Sequence, residues 1–482
     1  MKNIINKIKF LAILTLVFSI VSCSEDFLEP SPTPDAAISG VDFYKTEEQV
    51  LSGIIGIYDA IQGVNDTRSD TNHGIQMEFY VTEMRSDNTR TKSGEGEASQ
   101  FDFFTVQPTN GLVADHYRSA YNAVFRANKV LENLDVVSAA NKAKYEAEAR
   151  FLRAYTYFNL VRLYGDLPLI DKVITIEDKD TQFTRVPAAQ VYEFIIADFK
   201  FAIQNLSNGS KNRASKAAAQ GLLAKVYLTQ NTNYVEAQVL LEDVMKSGFI
   251  LEPNFEDVFY NEDNKEVIFS IGFISGITQD SQNFSAEFLN GVGRTVGVNY
   301  VTNDAKEALD LLGGNRTAVS YRNDFLQTTQ NQVAKFLPNG SDGGADGKTF
   351  TGFDPRLAGN DWVVLRYADI LLMHAEAIMA GGQDTSVGAA INSFQAVRDR
   401  AGLTTPVTTI TKQELLDERR VELAFENHRL FDLIRLGEAQ NVLSTFSAAT
   451  GGSFSSTDLL LPIPQVEIGL SNGKLSQNPG YN

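Results

Sequence analysis

Residues 415–439 alternate carboxylates and guanidinium groups at helical spacing. Glu418, Glu422 and, if the helix continues, Glu426 fall four residues apart on one stripe, with Arg419, Arg420, Arg429 and Arg435 within reach. Two carboxyl groups about 5–10 Å apart are the equipment of a glycosidase, one the acid and the other the base or nucleophile. That chemistry needs one carboxyl to hold its proton near neutral pH. An arginine beside each carboxylate favours the ionised form instead. The segment therefore reads as an ion-pair lattice that ties the last helices and the C-terminal tail to the core, with no catalytic residues.

Other chemistries are weaker still. Residues 343–349 imitate a phosphate loop, but Asp342 stands at the first glycine position and no strand–helix context surrounds it. His374-Ala375-Glu376 lacks zinc-protease spacing and falls in an apolar helix. Asp342, Asp346 and Asp354 offer oxygen ligands for a structural calcium, without EF-hand spacing. No other cofactor or metal is expected. A single cysteine and four histidines in 482 residues leave no material for a cysteine- or histidine-rich centre. No Ser/His/Asp arrangement stands out. With 60 acidic against 42 basic residues and a net charge of -18, the chain lacks the basic footprint of a nucleic-acid binder. A composition 43% hydrophobic and 21% charged is that of a globular protein.

The N-terminus is an address. Lys2, Lys7 and Lys9 precede a short apolar run, residues 10–21, that is too short to span a bilayer comfortably. No second apolar stretch of about 18 residues follows. Ile20-Val21-Ser22-Cys23 resembles the lipobox of bacterial lipoproteins, which makes Cys23 the lipidation site. Ser24, Glu25 and Asp26 resemble the surface-export signal of Bacteroidota lipoproteins, implying an outer-membrane protein on the cell surface. The expected division is a signal peptide over 1–22, a lipidated N-terminus and tether over 23–40, and a single domain over 41–482. Pro30, Pro32 and Pro34 stiffen the tether.

The elements that must position any site are mostly α. A 3.6-residue period predicts helices over 115–134 and 144–164, the second stopped by Gly165. Further helices are expected at about 188–206, 215–229, 234–247, 304–312, 363–380, 388–400, 411–425 and 428–440. They fall in adjacent pairs joined by short loops. Small residues such as Ala149, Ala154, Ala217, Gly221 and Ala375 sit where helices cross closely. This is the pattern of tetratricopeptide-like helix pairs, which bury their faces by stacking. A few short strands are expected, at 267–271 and 333–336. Long irregular loops cover 84–112, 272–303 and 337–360, and loops of that length usually carry function.

Four segments reach a family: RFLRAYTYFNLVRLYGDLPLI (150–170), WVVLRYADILLMHAEAIMA (362–380), LLDERRVELAFENHRLFDLIRLGEA (415–439) and LLLPIPQVEIGLSNGKLSQNPGYN (459–482). In this order they resemble the SusD/RagB family of surface glycan-binding lipoproteins of Bacteroidota. The resemblance implies a non-catalytic protein that binds oligo- or polysaccharide and delivers it to a SusC-like TonB-dependent outer-membrane transporter. It implies contact with the membrane through the lipid anchor only. Its rivals are a structural lid of that transporter and a component of peptide uptake.

Sugar recognition needs a flat apolar surface for a pyranose face and planar polar groups for its hydroxyls. The family's site lies on the loop-bearing side. Carried over to this chain, that side offers Asp87, Asn88, Arg90 and Phe101 from the first loop, with Phe103 and Phe104 beside them. The second loop offers Gln282, Asn283, Phe284, Arg294 and Tyr300. Trp362, the single tryptophan, is a platform candidate that directly precedes an expected helix, where core packing competes for it. The glycan itself, a neutral β-glucan or an anionic polymer such as alginate, is left open.

Overall fold

In a computed structural model of the chain, the described residues are 43–64, 74–175, 177–178, 180–262, 264–284, 299–324, 328–337 and 357–481. Cys23, Arg294, the leader and tether, and Asp342, Asp346 and Asp354 lie outside them.

A succession of helices forms the frame: α1 (Glu47–Gln62), α2 (Gly111–Glu132), α3 (Ala139–Tyr164), α4 (Ala188–Asn205), α5 (Lys216–Thr229) and α6 (Tyr234–Met245). Each packs on the next, and α8 (Tyr367–Ile378) closes onto α6 before α9 (Gly388–Arg400) packs on α8. This is the stacked-pair architecture that the periodicity predicts, with the main core running between the helices. Local chemistry fixes the starts. Thr46 and Gln49 form a capping box on α1, and the Asn110 side chain accepts from the first amides of α2. Helix α3 stops at Gly165, whose φ of 71° suits glycine. Helix α5 is buried on every side, and at Gly221 a Cβ would sit 2.6 Å from Leu365 Cδ2. Only glycine permits that approach.

Among the described residues the remaining helices longer than a single turn are α7 (Asn303–Leu312), α10 (Lys412–Glu422), α11 (Arg429–Arg435), α12 (Ala439–Thr450) and α13 (Gln465–Leu470). Four short strands build one sheet in the order β1 (Thr89–Thr91), β5 (Asn299–Val301), β7 (Asn331–Val333), β6 (Tyr321–Asn323). Strands β2 (Leu167–Pro168) and β3 (Arg185–Val186) pair with each other. So do β4 (Val267–Ile271) and β8 (Trp362–Arg366), with Ile271 opposite Trp362.

Two sequence expectations need correction. The helix expected from 363 begins at Tyr367, because Val363, Val364 and Leu365 are spent on a strand against β4. The helix expected over 428–440 is two helices, divided around Gly437 with φ 77°.

Candidate functional site

The acidic stripe is the first test of chemistry, and it is sealed. Helix α10 ends at Glu422, and Phe425 and Asn427, both at positive φ, turn the chain so that Glu426 folds back beside it. Arg316 reaches Glu418 at 2.6 Å and Glu422 at 2.7 Å, and Arg366 reaches Glu266 and Glu426 at 2.8 Å. Arg400 bridges Glu266 and Glu422, and Lys335 meets Glu426 at 2.9 Å. Burial by itself would raise the Glu422 carboxyl; Arg400, Arg366 and Arg316 outweigh it and hold the group well below the usual range. A carboxyl so held cannot serve as a general acid near neutral pH.

The partners differ from the expected ones. Arg419 pairs with Asp369 and Asp432, Arg429 with Asp87, Arg435 with Glu376 and Asp432, and Arg420 with Asp87 and Asp304. Their side chains leave the helix face on which the glutamates lie. The C-terminal tail is tied by amides instead: Asn478 Nδ2 donates to the carbonyls of Tyr164 and Leu461.

An open groove lies along the β4–β8 pair. Its deeper part, about 330 Å³, has Phe259, Tyr260 and Phe273 as apolar walls and Asn261, Asn360 and Asp361 as polar ones. Its shallower part, about 510 Å³, continues past Asn208, Asn212 and Phe249. Lys211, Glu262, Asn264 and Val267 line both, so the two form one trough. Backbone geometry brings the walls together. Ser270 N donates to Lys211 O at 2.9 Å, and Gly359 lies so near Ser275 that a Cβ would approach its amide nitrogen to 2.6 Å.

Asp361 organises the floor. It accepts from Asn212 Nδ2 at 2.7 Å, Ser270 Oγ at 3.1 Å and Phe273 N at 3.3 Å, with Lys211 Nζ at 3.7 Å. The Tyr260 hydroxyl donates to Ala334 O at 2.9 Å, which fixes the ring at the wall. Behind Phe259 stand two cations of the sealed lattice, Lys335 at 4.8 Å and Arg366 at 5.9 Å from its ring centre. The lattice thus backs the groove without opening into it. Aromatic walls with amide and carboxylate side chains on rigid backbone suit a polyhydroxylated ligand. Among the described residues no cluster of three or more His, Cys, Asp or Glu is placed to hold a metal, and no helix is long and apolar enough to cross a membrane.

The sequence-derived candidates divide into three places. Asp87 is 2% exposed, and Arg429 donates to both its oxygens at 2.8 Å. The buried Asn88 amide donates to Glu83 and accepts from Arg420. Phe101 is fully buried, in a helical turn (Ser99–Asp102) within the stretch read from the sequence as an irregular loop. Phe284 and Trp362, each 4% exposed, pack against one another at 4.9 Å, with Phe336 and Phe273 completing an aromatic box. These five candidates offer a ligand no surface in this structure; they support the loops from within. Phe104 and Gln282 are buried too.

Arg90 and Tyr300 face each other across β1 and β5, half-buried. Arg90 donates to Asp102 at 2.8 Å and lies over the Phe103 and Phe446 rings. Asn283 is half-buried next to Gln282, which pairs with Ala358 at the edge of the groove. Sequence reasoning missed Lys211, Asn212, Tyr260, Asn261 and Asp361. Their only signal was turn-rich composition, Asn-Gly-Ser-Lys-Asn at 208–212 and a run of asparagine and acid after Tyr260.

Comparison with known proteins adds two family matches and close structural likeness. The profile described as the SusD family matches residues 328–481, and the profile described as "Starch-binding associating with outer membrane" matches residues 26–228. SusD-like protein P2 of Formosa agariphila is 27% identical over 519 residues, covering 97% of this chain and 98% of that protein. The starch-binding protein SusD of Bacteroides thetaiotaomicron is 26% identical over 436 residues, 73% of this chain and 76% of that one. A solved laminarin-binding SusD-like protein superimposes with a TM-score of 0.75 at 27% identity, over 91% of this chain and 100% of that one.

Proposed function

Because the chain belongs to the SusD family, we propose that it is a non-catalytic lipoprotein of the outer cell surface that captures an oligosaccharide and delivers it to a SusC-like TonB-dependent transporter. The observation that carries this reading is the trough along β4 and β8, where the half-buried Tyr260 and Phe259 offer ring surface beside Asn261, Asn360 and Lys211. Its charged side chains are of both signs, which suits a neutral glycan better than a polyanion. The 27%-identical relative whose ligand is laminarin supports a β-glucan. Asn283 is a further candidate contact, and Arg90 and Tyr300 form a second polar patch across β1 and β5. Cys23 carries the lipid, residues 1–22 are removed with the signal, and residues 23–40 tether the domain.

Catalysis has no place in this reading, since the carboxylates grouped around Glu422 are each engaged by buried cations. A second reading, a transporter lid with little glycan affinity of its own, is favoured by one observation: the single tryptophan is buried, so the groove lacks the strongest sugar platform. Calorimetry of the domain starting after Pro34, against neutral and anionic polysaccharides, separates the two. Selective binding of one polymer that weakens in Tyr260→Ala and Asn360→Ala supports capture. A folded domain that binds none favours the lid.

A further inference from the structure

A second groove, sharing no residue with the first, lies on the helical frame. Along one face of α2, Tyr117, Tyr121 and Phe125 follow one another every four residues, about 6 Å apart along the axis. Arg118 and Asn122 run beside them with the same spacing. The facing wall is Phe183 and Gln182 from the segment before β3, closed at one end by Glu467 of α13. The space enclosed is about 520 Å³, as large as the shallower part of the first groove.

The side chains are held for use. The Tyr121 hydroxyl donates to Pro168 O at 2.8 Å, and its ring meets that of Tyr117 at 4.8 Å, so the floor is fixed. The Arg118 Nε donates to Glu467 at 2.9 Å, a pair that spans from α2 to α13. Among the described residues these two are the only charged side chains lining the groove, and they neutralise each other. The side-chain amides of Asn122 and Gln182 have no hydrogen-bond partner among the described residues. Phe125 is 48% exposed at the open end, with the half-buried Phe183 opposite.

We infer that this groove is a second oligosaccharide site, for a neutral glycan stacked along Tyr121 and Phe125 and hydrogen-bonded by Asn122, Gln182 and the Arg118–Glu467 pair. Ring faces in series with unengaged planar amides at their edges are what a chain of uncharged sugars needs. A protein partner needs about 800 Å² of matching surface on each side. Here Phe125 and Gln182 are the lining side chains that are largely exposed, a narrow strip that favours a slender ligand. A chain with two separated sites holds a long polymer more firmly than either site alone, through effective concentration.

The inference rests on the proposed glycan binding, and one experiment separates their fates. Calorimetry with a laminarin oligosaccharide too short to span both sites is run on the wild-type domain, on Phe125→Ala/Phe183→Ala, and on Asn261→Ala/Asn360→Ala. The expected wild-type stoichiometry is two, falling to one in each double variant, with sugar density between Phe125 and Phe183 in soaked crystals. Binding that persists only in the Asn261→Ala/Asn360→Ala protein also upholds the second groove while removing the first. A stoichiometry of one, unchanged by Phe125→Ala/Phe183→Ala, overturns this inference alone. Absence of binding in the folded wild type overturns both readings. Unchanged melting of the Phe125→Ala/Phe183→Ala protein serves as the folding control, since both rings are at the surface.

Discussion

The lattice around Glu422 and the groove around Asn360 are both rich in polar side chains, and they share a wall, Phe259. In the lattice, Glu422, Glu426 and Glu266 are out of water and answered by Arg316, Arg366, Arg400 and Lys335. In the groove, Asn261 and Asn360 stand where solvent reaches them, with the aromatic rings on a rigid backing. Polarity that is satisfied internally makes structure, whereas polarity displayed beside an aromatic face makes a binding surface. The two regions therefore predict opposite responses to the same kind of substitution.

The largest effect is expected at Arg366, which touches three buried glutamates. Arg366→Met strands Glu266, Glu422 and Glu426 without their shared cation, and removing one partner of a buried pair costs about 3–5 kcal/mol. Urea unfolding measures it; a loss under 1 kcal/mol would mean that the lattice is not what holds this region.

The next effect is on pH. Glu422 and Glu426 are both lowered: burial alone would raise them, but Arg400, Arg366 and Arg316 at the first and Arg366 and Lys335 at the second prevail. Groups depressed in the folded state contribute stability above their ordinary value of 4.5, and it is lost as pH falls below that. Glu78 and Glu83 behave in the opposite sense. Burial pushes each from 4.5 up to about 7, so their contribution is present below 4.5 and is lost as pH rises through 7. Stability measured against pH should fall steeply on the acid side and more gently between 4.5 and 7, and Glu78→Gln should flatten the gentler slope. An unaltered slope in that variant would show that Glu78 is ionised in the fold.

Trp362 sharpens the comparison from the other side. As part of the aromatic box it should lose about 1–3 kcal/mol on conversion to Phe, while glycan affinity stays within twofold. Affinity that collapses in a stably folded Trp362→Phe protein would return the tryptophan to the ligand. The smallest effect on stability is expected at Tyr260→Ala and Asn360→Ala, at the groove surface. Each should weaken oligosaccharide binding by about twofold to tenfold, the range of a stacking contact or a single hydrogen bond. Melting temperatures measured alongside should fall far less than in Arg366→Met.

Much of the frame was legible because helix periodicity is local. The Tyr117–Tyr121 stripe, the Gly165 stop and the small residues of α5 announce paired helices without knowledge of any distant contact. The start of α8 misled because Val363–Leu365 is apolar enough for either element, and its pairing partner Val267–Ile271 lies nearly a hundred residues earlier. The binding groove was less legible still. Lys211, Asn212, Tyr260 and Asn261 sit in short connections with no period, and nothing local distinguishes an asparagine that ends a helix from one that lines a trough.

The sequence by itself determined the mostly helical class, the stacking of the helices, and the family resemblance carried by residues 415–439 and 459–482, because these depend on residue types at fixed short spacing. Tertiary structure alone decided which cation answers which carboxylate, since Glu266, Arg316, Arg366, Arg400 and Glu422 meet from widely separated segments. It alone also decided that Trp362 faces the core and that Tyr260 and Phe125 line open grooves. The side of an element that is buried is set by what packs against it, and that is a property of the whole fold.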